Sequence, residues 1–286
     1  MTIVFWSPVH GQARQSSNLL AVSLYLAMEQ HKKILITQTQ YRMNDLEDAV
    51  VGRAGKKDFR ERFYQDMGMD SLIRCLKRKR IDKADIENCC IQLLTEEEFL
   101  LLPGSQCENY EVFRETVGEA VHAVLEETEK YYDYVFVDTN PGGDRISRQL
   151  LQAADLVVVN LSQNVGMIDR FFWDYPEELR GKPVFFLFGS YLSDSCYNLS
   201  NIRYRYELIR RNNAAVIPLN VGFMDAIAGG DVRNYFAKNL ESEPGGANYA
   251  FMQELGETVH KLTAYIAKKN RVSAERKGGV DEYCID

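Results

Sequence analysis

Six continuous apolar runs punctuate the chain: Thr2 to Trp6, Ile34 to Thr37, Tyr134 to Val137, Leu156 to Leu161, Val184 to Phe188 and Ala215 to Pro218. Continuous hydrophobicity, as opposed to alternation, predicts strands buried on both faces, as in a parallel sheet covered by helices. The first run ends in the turn-prone Ser7-Pro8 and Gly11, and Asn18 to Glu29 then carries apolar residues at helical spacing. With the second run this reads as a β-α-β unit. From Asn44 to about Glu129 the pattern is mostly helical, with a break at Pro103-Gly104 and one long amphipathic helix over Tyr110 to Lys130. A further amphipathic helix is predicted over Tyr249 to Lys268, and Arg271 to Asp286 is polar and weakly patterned. Strands alternating with helices predict an α/β fold: a doubly wound, mainly parallel sheet flanked by helices. The expected organisation is one domain over residues 1–270 with a helical insertion at about 44–130, and a disordered tail over 271–286.

Composition narrows the function classes. Hydrophobic residues make up 45% and charged residues 26% of the 286, which is ordinary for a globular protein with a sizeable core. No apolar run reaches the roughly 18 residues needed to cross a bilayer, and Met1 to Trp6 lacks the length and basic flank of a signal peptide, so a cytoplasmic location is expected. Six cysteines at irregular spacing suggest neither zinc nor a disulfide framework.

A net charge of −7 argues against a surface built throughout to attract nucleic acid. Arg74, Lys77, Arg78, Lys79, Arg80 and Lys83 nevertheless crowd together, either as a solvated helix face or as a docking surface for DNA, anionic lipid or an acidic partner. Arg203, Arg205, Arg210 and Arg211 are read as solvated charge on a helix. Phe171, Phe172, Trp173 and Tyr175 are read as core or interface packing.

In a doubly wound sheet the ligand sits at the carboxyl ends of the strands, and a phosphate prefers the loop between the first strand and first helix. Here that loop reads SPVHGQARQSSN, Ser7 to Asn18. A working phosphate loop needs glycines to let the backbone curl, a lysine to neutralise phosphate charge, and a Ser or Thr hydroxyl for magnesium. This one keeps Gly11 and the hydroxyls of Ser16 and Ser17, and has no lysine. His10 has no second metal ligand near it in sequence.

The segments TIVFWSP, KKILITQTQ, YDYVFVDTNPGG, AADLVVVNLSQ, KPVFFLFGS and AAVIPLNVGFMDAIAGG stand in the order and approximate spacing of the ParA/MinD family of P-loop ATPases. The resemblance covers nearly residues 1–265. It implies Asp138 as the carboxylate that holds magnesium through water, with Ser16 as the magnesium hydroxyl, and Gly142 as the backbone N–H that senses a γ-phosphate. It also implies a nucleotide cradle of Gly11, Gln12, Arg14, Gln15, Ser16 and Ser17, with Pro218, Leu219 and Asn220 beside the base and a helix beginning near Asp225.

On the same resemblance, Gln15 and His10 stand where the family has its two lysines, and Gln38 and Gln40 where it has acidic residues. Glutamine neither carries charge nor acts as a base near neutral pH. The implied ligand is ATP or ADP with Mg2+, either retained as a static ligand or lost. The chain thus resembles a degenerate, non-hydrolysing member, similar to the TadZ/CpaE group that marks where a Flp-type pilus secretion machine assembles. That implies a protein partner, a homodimer as a further possibility, and membrane or pole association through partners, with nucleic acid disfavoured. The alternative is an active but atypical ATPase in which Arg14 supplies the missing charge.

Overall fold

The computed structural model describes residues 1–43, 45–51, 66–78, 80–94, 98–174 and 176–278, with side chains as far as residue 271. Along the chain the elements are β1 (Thr2–Trp6), α1 (Gln15–Gln30), β2 (Ile34–Gln38), α2 (Asp45–Val51), α3 (Gly68–Arg78), α4 (Lys83–Asn88), β3 (Ile91–Leu94), β4 (Phe99–Leu102), α5 (Tyr110–Thr128) and β5 (Tyr134–Asp138). They continue as α6 (Arg145–Ala153), β6 (Leu156–Leu161), α7 (Val165–Trp173), β7 (Val184–Tyr191), α8 (Leu199–Arg205), β8 (Ala214–Pro218), α9 (Val221–Gly229), α10 (Val232–Asn239) and α11 (Tyr249–Gly278).

The strands form one sheet in the order β3-β4-β2-β5-β1-β6-β7-β8. Every neighbouring pair is parallel except β3 with β4. All six expected runs are strands. The segment expected to be a helical insertion supplies two more, β3 and β4, and β4 pairs with β2 in register from Ile34↔Phe99 to Thr37↔Leu102. That expectation is corrected for a physical reason: a four-residue apolar run such as Phe99–Leu102 has too few positions to show a period, and tertiary pairing decides its state.

Successive residues of a strand face opposite sides of a sheet. Val4, Trp6, Val135, Val137, Val157 and Val159 accordingly build a core with α3, α5, α6 and α7. Ile3, Phe5, Phe136, Val158 and Phe185 build a second core with α1, α2, α9, α10 and α11. Leu255, Val259, Leu262 and Ile266 of α11 are buried, so this helix spends its apolar stripe on the sheet. Its backbone reaches Gly278, past the boundary at Arg271 where a disordered tail was expected; residues 279–286 lie outside the described residues.

Among the described residues, no helix is long and apolar enough to cross a membrane. Lys79 and Tyr175 also lie outside them. Within the basic cluster Lys83 is paired with Glu87 and Glu98 at 3.4 and 3.0 Å. Arg205 is not simply solvated either, since it holds Asp169 at 2.9 Å. Arg210 and Arg211 fall beyond the end of α8, correcting the expectation that they share its helix. Of the aromatic cluster, Phe171 is core while Trp173 is 81% exposed.

Candidate functional site

Strand β1 sits between β5 and β6, so the chain order reverses at its carboxyl end and leaves a crevice there. The Ser7–Arg14 loop fills the crevice mouth. Among the described residues six helices begin on a side-chain cap: α4 on Asp82, α5 on Asn109, α6 on Asp144, α7 on Asn164, α8 on Asn198 and α9 on Asn220. Helix α1 begins on Arg14 with no side-chain cap, which leaves its first N–H groups to other acceptors. Arg14 lies in the left-handed region at φ 55°, ψ 36°, a conformation that costs a non-glycine residue about 1 kcal/mol.

Two adjoining cavities open beside this loop. One, of about 260 Å3, is lined by His10, Gly11, Gln15, Ser16, Ser17 and Gln40, with Asp45 and Asp48 of α2 opposite. The other, of about 250 Å3, is lined by Pro218, Leu219, Asn220, Phe223 and Asp225. Arg14, Ser17, Ile227 and Ala228 line both, so the two form one cleft with Arg14 at the junction. Gln12 lines neither; its Oε1 accepts a bond from Asn164 Nδ2 at 3.4 Å. Helix α9 begins at Val221, earlier than the Asp225 expected. Asn220 caps it, its Oδ1 accepting from Phe223 N–H (2.7 Å) and Tyr235 O–H (3.0 Å) and its Nδ2 donating to Asn248 (3.0 Å).

Asp138, the last residue of β5, is fully buried behind the first cavity. Gln15 Nε2 donates to its Oδ1 at 2.6 Å and to the Thr139 carbonyl at 2.6 Å. Ser16 Oγ (2.6 Å) and Gln40 Nε2 (3.0 Å) donate to Oδ2. Burial pushes the Asp138 carboxyl up to about 7, because these neutral donors, led by Ser16 and Gln15, only partly offset desolvation and Asp45 opposes ionisation. Both oxygens thus point at neutral side chains, and burial favours the protonated form.

Magnesium needs six close oxygen ligands and loses its waters reluctantly. In this arrangement Asp138 is fully enclosed, both its oxygens accept from neighbouring donors and Ser16 Oγ is turned onto it, so neither side chain presents a free face to a magnesium ion or its waters. Among the described residues no cluster of three or more His, Cys, Asp and Glu side chains is placed to hold a metal ion.

Gly142 is held away from the cleft. Its N–H donates to the Ser7 carbonyl at 3.0 Å, and its carbonyl accepts from Trp6 Nε1 at 2.7 Å. With φ at +83° the turn depends on glycine, and both of its polar groups are spent on β1 and the loop that follows. Replacement Trp6→Phe is expected to lower stability by about 1 kcal/mol, read as a reduced urea midpoint. An unchanged midpoint would show that the indole does not hold this turn.

Several residues that shape the site carry no motif. Asn18 Nδ2 bonds the Ala13 carbonyl (3.0 Å) and Asn160 Oδ1 (2.9 Å), while Asn160 Nδ2 reaches Val158 O at 3.0 Å. This buried pair pins the loop to β6. A signal existed, since Asn160 is a lone amide inside the apolar run Leu156–Leu161 and a buried amide needs partners. Glu47 gave none. It is fully buried, takes a bond from Gly104 N–H at 2.7 Å and another from Gln38 Nε2, and burial raises its carboxyl to about 7. Gln38 therefore faces α2, and only Gln40 of the two glutamines reaches Asp138.

No model of a protein family matches the chain, and no curated protein matches it by sequence. Solved structures do match in shape. A ParA family ATPase from Chlorobium tepidum superposes with a TM-score of 0.67 at 14% identity, covering 90% of this chain and 98% of that one. The septum site-determining protein MinD from Pyrococcus horikoshii, complexed with Mg-ADP, gives 0.60 at 15% identity, covering 92% and 98%. The MinC:MinD cell division complex of Aquifex aeolicus gives 0.63 at 15% identity, covering 92% and 96%. The chain therefore has the ParA/MinD-type P-loop fold.

Proposed function

We propose that this protein is a non-hydrolysing ParA/MinD-like positioning or assembly factor that works by engaging a protein partner. The observation carrying the proposal is the state of Asp138: both oxygens are engaged by neutral donors, and Gln15, at the place of the phosphate lysine, is turned inward onto it. Phosphoryl transfer depends on neutralising charge that grows on the transferred group, and individual contributions reach roughly 10³-fold or more in rate. A loop without lysine, backed by an enclosed carboxylate and faced by Asp45 and Asp48, supplies little of that.

The cleft still suits a nucleotide without metal. Its shape pairs the uncapped start of α1 with an apolar wall from α9, and Arg14 at the junction is placed to meet phosphate oxygens. The MinD neighbour was solved with Mg-ADP and another MinD in complex with MinC, which supports a bound nucleotide and a protein partner as the working reading here. The finer assignment is a TadZ/CpaE-like marker of a Flp-type pilus secretion machine, located in the cytoplasm and brought to membrane or pole by that partner. A homodimer is compatible with it.

Titration with a fluorescent ADP analogue tests the reading. Binding is expected to change by less than about twofold between magnesium and EDTA, and to weaken about tenfold in Arg14→Ala. Phosphate release from ATP is expected to stay at the blank rate. Magnesium-stimulated release abolished by Asp138→Ala would establish the rival, an active atypical ATPase.

A further inference from the structure

A second cleft, of about 580 Å3, lies at the opposite end of the sheet from the phosphate loop. It opens where β7 and β8 begin, beside the later turns of α11. Five cations line it: Arg180 and Lys182 from the turn before β7, Arg210 from the turn before β8, and Lys268 and Lys269 from α11. Among the described lining residues there is no Asp or Glu. In a chain of net charge −7, such a concentration does not follow from overall composition. The three segments are far apart in sequence, so only the fold brings their charges together.

Two of the five are held in place. Lys182 Nζ donates to the Gln152 carbonyl and, at 2.9 Å, to that of Ala154. Burial lowers its pKa against the opposing pull of Asp155, so a ligand anion would add to what this ammonium now has. Lys269 sits 5.3 Å from the ring centroid of Tyr265, which is itself buried in the cleft floor. The Arg210 turn is built as well, because Asn213 accepts from Arg210 N–H at 2.7 Å and donates to the Leu208 carbonyl at 3.1 Å. Among the described residues Arg180 meets an exposed partner, Glu177 at 3.5 Å, and a screened pair of that kind gives way readily to a stronger anion. The volume is that of a small-molecule site.

We propose that this cleft binds a compact, multiply charged phosphate anion, either a free phosphorylated small molecule or the headgroup of an anionic phospholipid. Arg180 and Arg210 would take phosphate oxygens through their planar forks, with Lys182, Lys268 and Lys269 as point charges. The site is separate from the phosphate loop and does not depend on whether that loop holds a nucleotide.

Calorimetric titration of the full chain with inorganic tripolyphosphate, in parallel with co-sedimentation on vesicles containing phosphatidic acid, tests it. The double variant Arg210→Ser, Lys268→Ser changes two exposed side chains, and Arg14→Ser serves as the control for binding at the phosphate loop. Expected is tripolyphosphate or vesicle binding that the double variant weakens about tenfold or more and that Arg14→Ser leaves in place. Loss confined to tripolyphosphate identifies a free anion, and loss of vesicle binding identifies a headgroup. Binding unchanged in the double variant, binding removed by Arg14→Ser alone, or no binding of either probe by the wild-type chain would overturn the proposal.

Discussion

The protein is expected to be more stable at pH 5 than at pH 8, by roughly 5 kcal/mol, the reverse of a protein held together by ionised carboxylates. Asp138 and Glu47 are both fully buried, and desolvation holds each carboxyl near 7 where ordinary values are 3.8 and 4.5. An acid whose folded pKa lies above its unfolded one binds its proton more tightly when folded. Its contribution is complete below the unfolded value and is lost as pH climbs through the folded one, which places the window between about 4 and about 7. One pKa step is worth about 1.4 kcal/mol, so each group stands for several kcal/mol before any compensation.

The substitution Glu47→Gln should flatten the curve and stabilise the protein at pH 8 by about 2 kcal/mol. It removes the buried charge and retains an acceptor for Gly104 N–H. Its NH2 replaces the oxygen that accepts from Gln38 Nε2, so the Gln38 amide has to turn over and present Oε1, which is buried without a hydrogen-bond partner in the wild-type arrangement. Urea denaturation of both proteins across pH 5 to 8, at roughly physiological salt, reads the effect. A wild-type midpoint that is flat or rises with pH would show that neither carboxyl titrates as stated.

The second large effect is steric. Gly189 of β7 lies against the phosphate loop, and a Cβ there would stand 2.7 Å from Asn18 Nδ2 and 2.8 Å from the Ala13 carbonyl oxygen. Neither neighbour has room to yield, since Asn18 is tied to Ala13 and Asn160 and the carbonyl is backbone. The variant Gly189→Ala is expected to lose about 3 kcal/mol and to lose binding in the adjoining cleft. Gly256→Ala is the informative contrast: its Cβ would meet the Tyr25 hydroxyl at 2.6 Å, the far end of a half-buried side chain that is able to swing aside. A cost of about 1 kcal/mol is expected there. Thermal melts and nucleotide titration of the two variants separate the cases, and equal costs would remove the argument that the Asn18 network is rigid.

These effects fall on residues of unequal visibility in the sequence. Asp138 was legible because an acid ending a buried apolar strand has to be accounted for, and the departure from lysine at Gln15 was legible from the resemblance. Where those side chains point was not. Gln15 and Ser16 follow β1, Gln40 follows β2 and Asp138 ends β5, and the convergence of these donors on that carboxylate depends on β1, β2 and β5 lying side by side. Gly142 illustrates the same limit, since its N–H is spent on Ser7 through a turn that no local pattern encodes.

By itself the sequence determined the class of fold and the place of the cleft. Six apolar runs alternating with amphipathic helices admit few topologies, and in such a sheet a phosphate prefers the loop between the first strand and the first helix. It also determined that the loop lacks lysine. Tertiary structure alone decided that Phe99–Leu102 is a strand, that Glu47 is buried, and that Arg180, Arg210 and Lys268 share one cleft. The reason is common to all three. Periodicity reports which face of an element is apolar, whereas pairing, burial of a single charge and convergence of distant cations depend on which elements become neighbours, and that is settled only when the whole sheet assembles.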